Sequence, residues 1–152
     1  MFLPFTDHQD FLIFSVMRFE IISDWNKARA RISALKGKFK SSVFRNAFKL
    51  KPYKCDFLIL SDGDRLLGAM TYWMEDRHWH LGDFDTAAGT HGAGNLLFER
   101  FLRDHKEKIV LWCWNDNAES FWRYIGKKNL RPARKIGLTP FGTTKLQLKE
   151  AA

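Results

Sequence analysis

Three glycines fall within six residues at Gly89-Thr90-His91-Gly92-Ala93-Gly94, directly ahead of a stretch with helical periodicity. Glycine lets a chain turn sharply and bring its backbone close to a ligand, and the first amides of a helix have no partner inside it. A loop of this kind can hold an anion, phosphate above all, on N–H groups aided by the helix dipole. A tight strand-to-helix connection with no ligand is the competing reading of the same spacing. The other residues with ligand chemistry are less suggestive. His78 and His80 would be adjacent on one strand face, but no third ligand stands at useful spacing, so no metal is expected. Cys55 and Cys113 lack metal-ligand spacing and read as buried free thiols in a reducing compartment.

The elements that must position the loop follow from periodicity. After it, Leu97 with Phe101 and Phe98 with Leu102 form an apolar stripe, while Glu99, Arg100 and Arg103 take the other face of a helix. Before it, a strand from Arg77 or His78 to about Phe84 puts His78, His80 and Gly82 on one face and Trp79, Leu81 and Asp83 on the other, with any bulge resetting the register. Upstream, residues 56–61 and 65–74 are two apolar runs joined by Asp62-Gly63-Asp64, a hairpin signal. Residues 17–23 read as a first strand with Phe19 and Ile21 inward. Two helices follow: one with inner positions Trp25, Ala28, Ile32 and Leu35, ended by Gly37, and a short one with Val43, Phe44, Ala47 and Phe48, stopped by Pro52. Downstream come a buried strand at 108–114, a helix from Asn117 to between Tyr124 and Lys128, capped by Asn115 or Asn117, and strands at 134–138 and 143–148.

The chain has 152 residues, enough for one domain that buries roughly two-thirds of its unfolded surface. With 14 Phe, 6 Trp and 3 Tyr it reads as globular. The early apolar residues are interrupted by Asp7-His8-Gln9-Asp10, follow no basic region and precede no cleavage site, so secretion is not expected. The run is too short to span a bilayer, and a cytoplasmic protein is expected. Residues 1–16 read as an extension or an extra packed segment, and 17–148 as the core of a single domain covering 1–152. The net charge of +8 is unevenly placed: ten basic residues and no acidic one lie between Lys27 and Lys54, whereas 56–85 is acid-rich. Such asymmetry steers polyanions or acidic partners. A solvated face that keeps the protein soluble is the simpler reading.

On these residues the chain, from about Met17 to Leu148, resembles the GNAT superfamily of acyl-CoA-dependent N-acyltransferases. Gly89-Thr90-His91-Gly92-Ala93-Gly94 stands where that family has Arg/Gln-x-x-Gly-x-Gly/Ala opening a helix. Asn115-Asp116-Asn117-Ala118-Glu119-Ser120-Phe121-Trp122, with Gly126 behind it, matches the family's second block. The resemblance implies an α/β (α+β) single-domain fold with a mixed, mostly antiparallel central sheet, splayed near the strand ending at Phe84, and flanking helices. It implies acetyl-CoA or another acyl-CoA as cofactor, held by Phe84, Asp85, Thr86, Gly89, Thr90, His91, Gly92, Ala93, Gly94, Asn95, Asn115 and Phe121.

For acyl transfer the acceptor amine must be neutral and beside the thioester, with the carbonyl polarised by an amide donor. The resemblance places that donor on the strand between Asp83 and Asp85. Asp83, Asp85, Glu75 and His80 are the candidate bases, Asp83 preferred for its nearness to the splay. Two departures stand out. Gly89 takes the place of an arginine or glutamine, removing a side-chain phosphate contact. Trp122 takes the place of the tyrosine that protonates the leaving thiolate, a role an indole cannot fill at neutral pH. Tyr124 is the candidate substitute, although two residues on is roughly 200° around a helix. The expected partners are an acyl-CoA, an amine acceptor on an acidic protein or nucleic acid drawn by segment 27–54, and a second copy in a homodimer, with no membrane. The alternative is a catalytically weak protein of this scaffold that binds CoA or nucleic acid.

Overall fold

The computed structural model describes residues 17–152; the reading of residues 1–16 lies outside them. The elements run β1 (Met17–Ile22), α1 (Trp25–Ala34), α2 (Val43–Lys49), β2 (Asp56–Asp62), β3 (Arg65–Glu75), β4 (His78–Thr86), α3 (Ala93–Asp104), β5 (Ile109–Trp112), α4 (Asp116–Lys128), β6 (Ala133–Leu138) and β7 (Thr144–Leu148). The strands form one sheet of order β1-β2-β3-β4-β5-β7-β6. Every neighbouring pair is antiparallel except β4–β5. This is the expected α/β (α+β) architecture with a mixed, mostly antiparallel sheet.

Strand alternation sorts the apolar residues onto two faces. On one, Leu58, Met70, Tyr72, Leu81, Ile109 and Leu111 pack against Leu97, Phe98, Phe101 and Leu102 of α3 and Trp122 and Ile125 of α4. Phe98 and Phe101 are fully buried, worth about 1.5–3 kcal/mol each. On the other face, Phe57, Ile59 and Ala69 meet Ala28 and Ile32 of α1 and Phe44 of α2. Val110 and Trp112 of β5 and Lys145 of β7 belong to neither core and line a trough on this second face.

Local chemistry fixes the helix ends. Asp24 caps α1, its Oδ1 accepting from Lys27 N at 2.9 Å, and Asn115 caps α4, its Oδ1 accepting from Ala118 N at 2.8 Å. At the end of α3, the buried Arg131 guanidinium donates to the carbonyls of Leu102, His105, Lys106 and Glu107, and to that of Lys149 beyond β7. A buried cation is tolerable there because its N–H groups meet backbone carbonyls, that of Leu102 being one the last turn of α3 leaves open.

Three details differ from the sequence reading. β4 runs on to Thr86 rather than ending near Phe84. Its register against β3 also slips, for Met70 pairs with Phe84 and Tyr72 with Leu81, so Gly82 and Asp83 together oppose Thr71. This is a β-bulge, and it turns Asp83 away from the face of Trp79 and Leu81, where simple alternation puts it. In β1, Ile21 is 56% exposed, while Ile22 packs into the second core.

Candidate active site

β4 and β5 pair only at Trp79–Ile109 and His80–Val110, and then part. Past the gap, the 38–41 segment takes the edge that β5 has left: Lys40 N donates to Thr86 O at 2.9 Å, Ala88 N to Lys38 O at 2.8 Å, and Phe39 bridges Ala87. Ser41 completes the clamp, with N and Oγ donating to Asp85 Oδ2 at 2.9 and 2.7 Å. Between the paired start of β4 and this clamp lies an open stretch of strand edge. Ala87 N donates to Leu67 O on the β3 side. Alternation therefore turns Phe84, like Thr86, toward the gap. Asp83 N is already engaged by Thr71 Oγ1 at 2.8 Å, so the N–H of Phe84 is the donor this edge offers.

At the clamped end, a hollow of about 300 Å³ is lined by Lys40, Phe84, Thr86, Thr90, Gly92, Ala93, Gly94, Asn95 and Phe121. Gly92 is the N-cap residue of α3 with φ +77°, a left-handed conformation suited to glycine, and it has no side chain with which to cap the helix. Leu96 N makes the first internal bond, to Gly92 O at 3.1 Å, leaving the amides of Ala93, Gly94 and Asn95 at the mouth of the hollow. These groups and the Lys40 ammonium suit a phosphate.

On the second face of the sheet, the trough has a volume of about 410 Å³ and is lined by Trp73, Glu75, His80, Leu81, Gly82, Asp83, Val110, Trp112, Trp114 and Lys145. Asp83 sits half-buried at the edge of the gap. The Tyr53 hydroxyl donates to its Oδ2 at 3.3 Å and also bonds Thr71 Oγ1 at 2.9 Å. Burial pushes the Asp83 carboxyl above its ordinary range, and the Tyr53 hydrogen bond opposes that shift. A carboxylate of raised basicity at a solvent-reached site is suited to taking a proton. Glu75 lies further out, accepting from Trp73 Nε1 at 3.4 Å and 4.0 Å from His80 Nε2, while His80 stacks on Trp73 at 5.6 Å.

The structure thus gathers Phe84, Thr86, Thr90, Gly92, Ala93, Gly94, Asn95 and Phe121 at the hollow, and Glu75, His80 and Asp83 at the trough. It does not bring the rest there. Asp85 is spent on Ser41 and on Thr86 N, Asn115 on capping α4, and Gly89 turns the loop at φ +81°. His91 is exposed and lines neither cavity. Tyr124 is 59% exposed on α4 and lines neither cavity, while Trp122 is buried against Phe84 and Phe98. Among the residues lining the trough, none comes from the basic segment 27–54, which reaches the site at Lys40 on the hollow instead. Tyr53 and Thr71 escaped the sequence reading because nothing in their spacing links them to Asp83; Lys40 was visible only as part of a charge run. Among the described residues no cluster of metal-ligating side chains occurs and no helix is long and apolar enough to cross a membrane.

No protein-family model matches the sequence and no curated protein matches it. Solved structures do. The ribosomal-protein-S18-alanine N-acetyltransferase from Escherichia coli is similar with 10% identity and a TM-score of 0.58, over 89% of this chain and 95% of that one. An acyl-CoA N-acyltransferase from Pseudomonas aeruginosa is similar with 11% identity and a TM-score of 0.56, over 86% of this chain and 98% of that one. N-acetylglutamate synthase from Neisseria gonorrhoeae, complexed with coenzyme A and N-acetyl-glutamate, is similar with 8% identity and a TM-score of 0.51, over 89% of this chain and 35% of that one. Others are described as GNAT-family proteins. At these identities the likeness is one of fold: the chain has the GNAT fold.

Proposed function

We propose that this chain is an acyl-CoA-dependent N-acyltransferase that moves an acyl group, acetyl in the simplest case, onto a primary amine by direct attack in a ternary complex. The observation that carries the reading is the opened edge of β4 at Phe84, with an anion hollow at one end and a basic carboxylate in the trough beside it. The N–H groups of Ala93, Gly94 and Asn95 and the Lys40 ammonium hold the CoA pyrophosphate. The amide-bearing pantetheine arm lies along the open edge, and Phe84 N–H polarises the thioester carbonyl. Asp83, directly or through a water, takes a proton from the acceptor ammonium. The neutral amine then attacks the carbonyl carbon; the C–N bond forms, the C–S bond breaks, and CoA leaves as a thiolate. With Trp122 in the core and Tyr124 on the outer side of α4, water supplies the thiolate's proton and solvent takes the second amine proton.

That lack of a placed acid favours a second reading, a protein that binds acyl-CoA without turnover. Incubation with acetyl-CoA and pools of amines, followed by measuring free thiol and product mass, separates the two. Amine-dependent thiol release, lost in Asp83→Asn, is the expected result. Acetyl-CoA binding with no release from any amine, peptide or nucleic-acid pool would overturn the enzyme in favour of the binder.

A further inference from the structure

We infer that the acceptor is a small primary amine on a flat apolar body, which lies against Trp73, Trp112 and Trp114 with its amine at Asp83. The inference rests on the acyltransferase reading above and narrows its acceptor. Three of the chain's six tryptophans line one trough, and two of them stay unusually open, Trp112 at 39% and Trp114 at 55% exposure. Their rings meet at 6.1 Å, and Trp114 continues at 5.6 Å to Phe141, itself 71% exposed, so the aromatic wall runs from the gap out to the surface. A cavity near 410 Å³ falls in the range of small-molecule sites.

Charge selects among amines. The trough sets the carboxylates of Glu75 and Asp83 against the single ammonium of Lys145, beside indole faces that attract cations. An incoming ammonium on an aromatic or hydrocarbon body is welcome there. A phosphate backbone or a run of acidic side chains meets like charge, and the basic residues that would attract it do not line this cavity. Lys145, opposite Trp112 on β7, makes no ion pair among the described residues and can take one anionic substituent on the same molecule.

Calorimetric titration of the CoA-saturated protein with 2-phenylethylamine, spermidine and a glutamate-rich peptide carrying one lysine tests this, alongside the melting shift produced by acetyl-CoA. The expected result is that 2-phenylethylamine binds most tightly, and that Trp112→Ala and the less core-dependent Trp114→Ala each weaken it roughly tenfold while the acetyl-CoA shift persists. Equal or tighter binding of spermidine or the peptide, or unchanged affinity in Trp114→Ala, would overturn the inference and leave the acyltransferase reading standing. Absence of any acetyl-CoA shift in the wild-type protein would overturn both.

Discussion

Asp83 is held between two opposing influences: partial burial raises its pKa, and the Tyr53 hydroxyl lowers it. If the carboxylate is the working base, the lower limb of the kcat/KM against pH profile lies above the ordinary carboxylate range. Tyr53→Phe removes the donor that stabilises the anion, so it moves that limb to higher pH; a limb that stays put would deny the coupling. Asp83→Asn removes the limb and lowers kcat/KM by about 10²-fold or more. Stability gives an independent check. A carboxyl whose folded pKa is raised contributes stability that is present below its unfolded pKa and lost as pH rises through the folded value. Asp83→Asn should therefore gain on the wild type in melting temperature between pH 4 and pH 8, and a constant difference across that range would count against the raised pKa. Tyr124→Phe should change turnover by less than twofold, since the hydroxyl stands outside both cavities.

At the scale of elements, the bulge in β4 aims Asp83. A Cβ at Gly82 would stand 2.6 Å from Thr71 Oγ1, 2.8 Å from the Tyr53 hydroxyl and 2.9 Å from the Trp73 ring. Gly82→Ala must push these groups apart, at a cost of about 1–3 kcal/mol. It should lower the melting temperature and reduce kcat together; wild-type values of both would show the bulge to be idle. The element order, the hairpin and the loop leading into α3 were legible in the sequence because each has a strong local pattern: Asp62-Gly63-Asp64 between apolar runs, or Leu97, Phe98, Phe101 and Leu102 at helical spacing. The face that Asp83 takes was not, because a bulge is decided by the partner strand. Ile21 and Ile22 in β1 illustrate the same limit, since two adjacent apolar residues leave the inward one to be chosen by what packs above them. In the site, Gly92 to Asn95 could be read from their neighbours, whereas Tyr53 reaches Asp83 across 30 residues of chain.

In the whole molecule, the gap between β4 and β5 lies between the hollow at the α3 loop and the trough on the second face of the sheet, which under the proposed function lets donor and acceptor approach the same strand edge separately. The charge asymmetry also gains a place. The basic segment's 38–41 stretch is clamped along β4 and puts Lys40 on the hollow, where Gly89 offers no side chain. Lys40→Ala should weaken acetyl-CoA binding about fivefold at low salt and less at 0.5 M salt, because the lost interaction is electrostatic and screened; equal losses at both would mean Lys40 acts through packing. The proposal that the loop opening α3 cradles an acyl-CoA can be checked by the melting temperature of the wild-type protein and Gly92→Glu with and without acetyl-CoA. At a hundredfold excess over Kd, binding adds about 2.7 kcal/mol, a rise of several degrees. The expected result is that rise in the wild type and none in Gly92→Glu, whose carboxylate would occupy the mouth of the hollow; a wild-type protein that melts at the same temperature with and without acetyl-CoA would rule the cradle out.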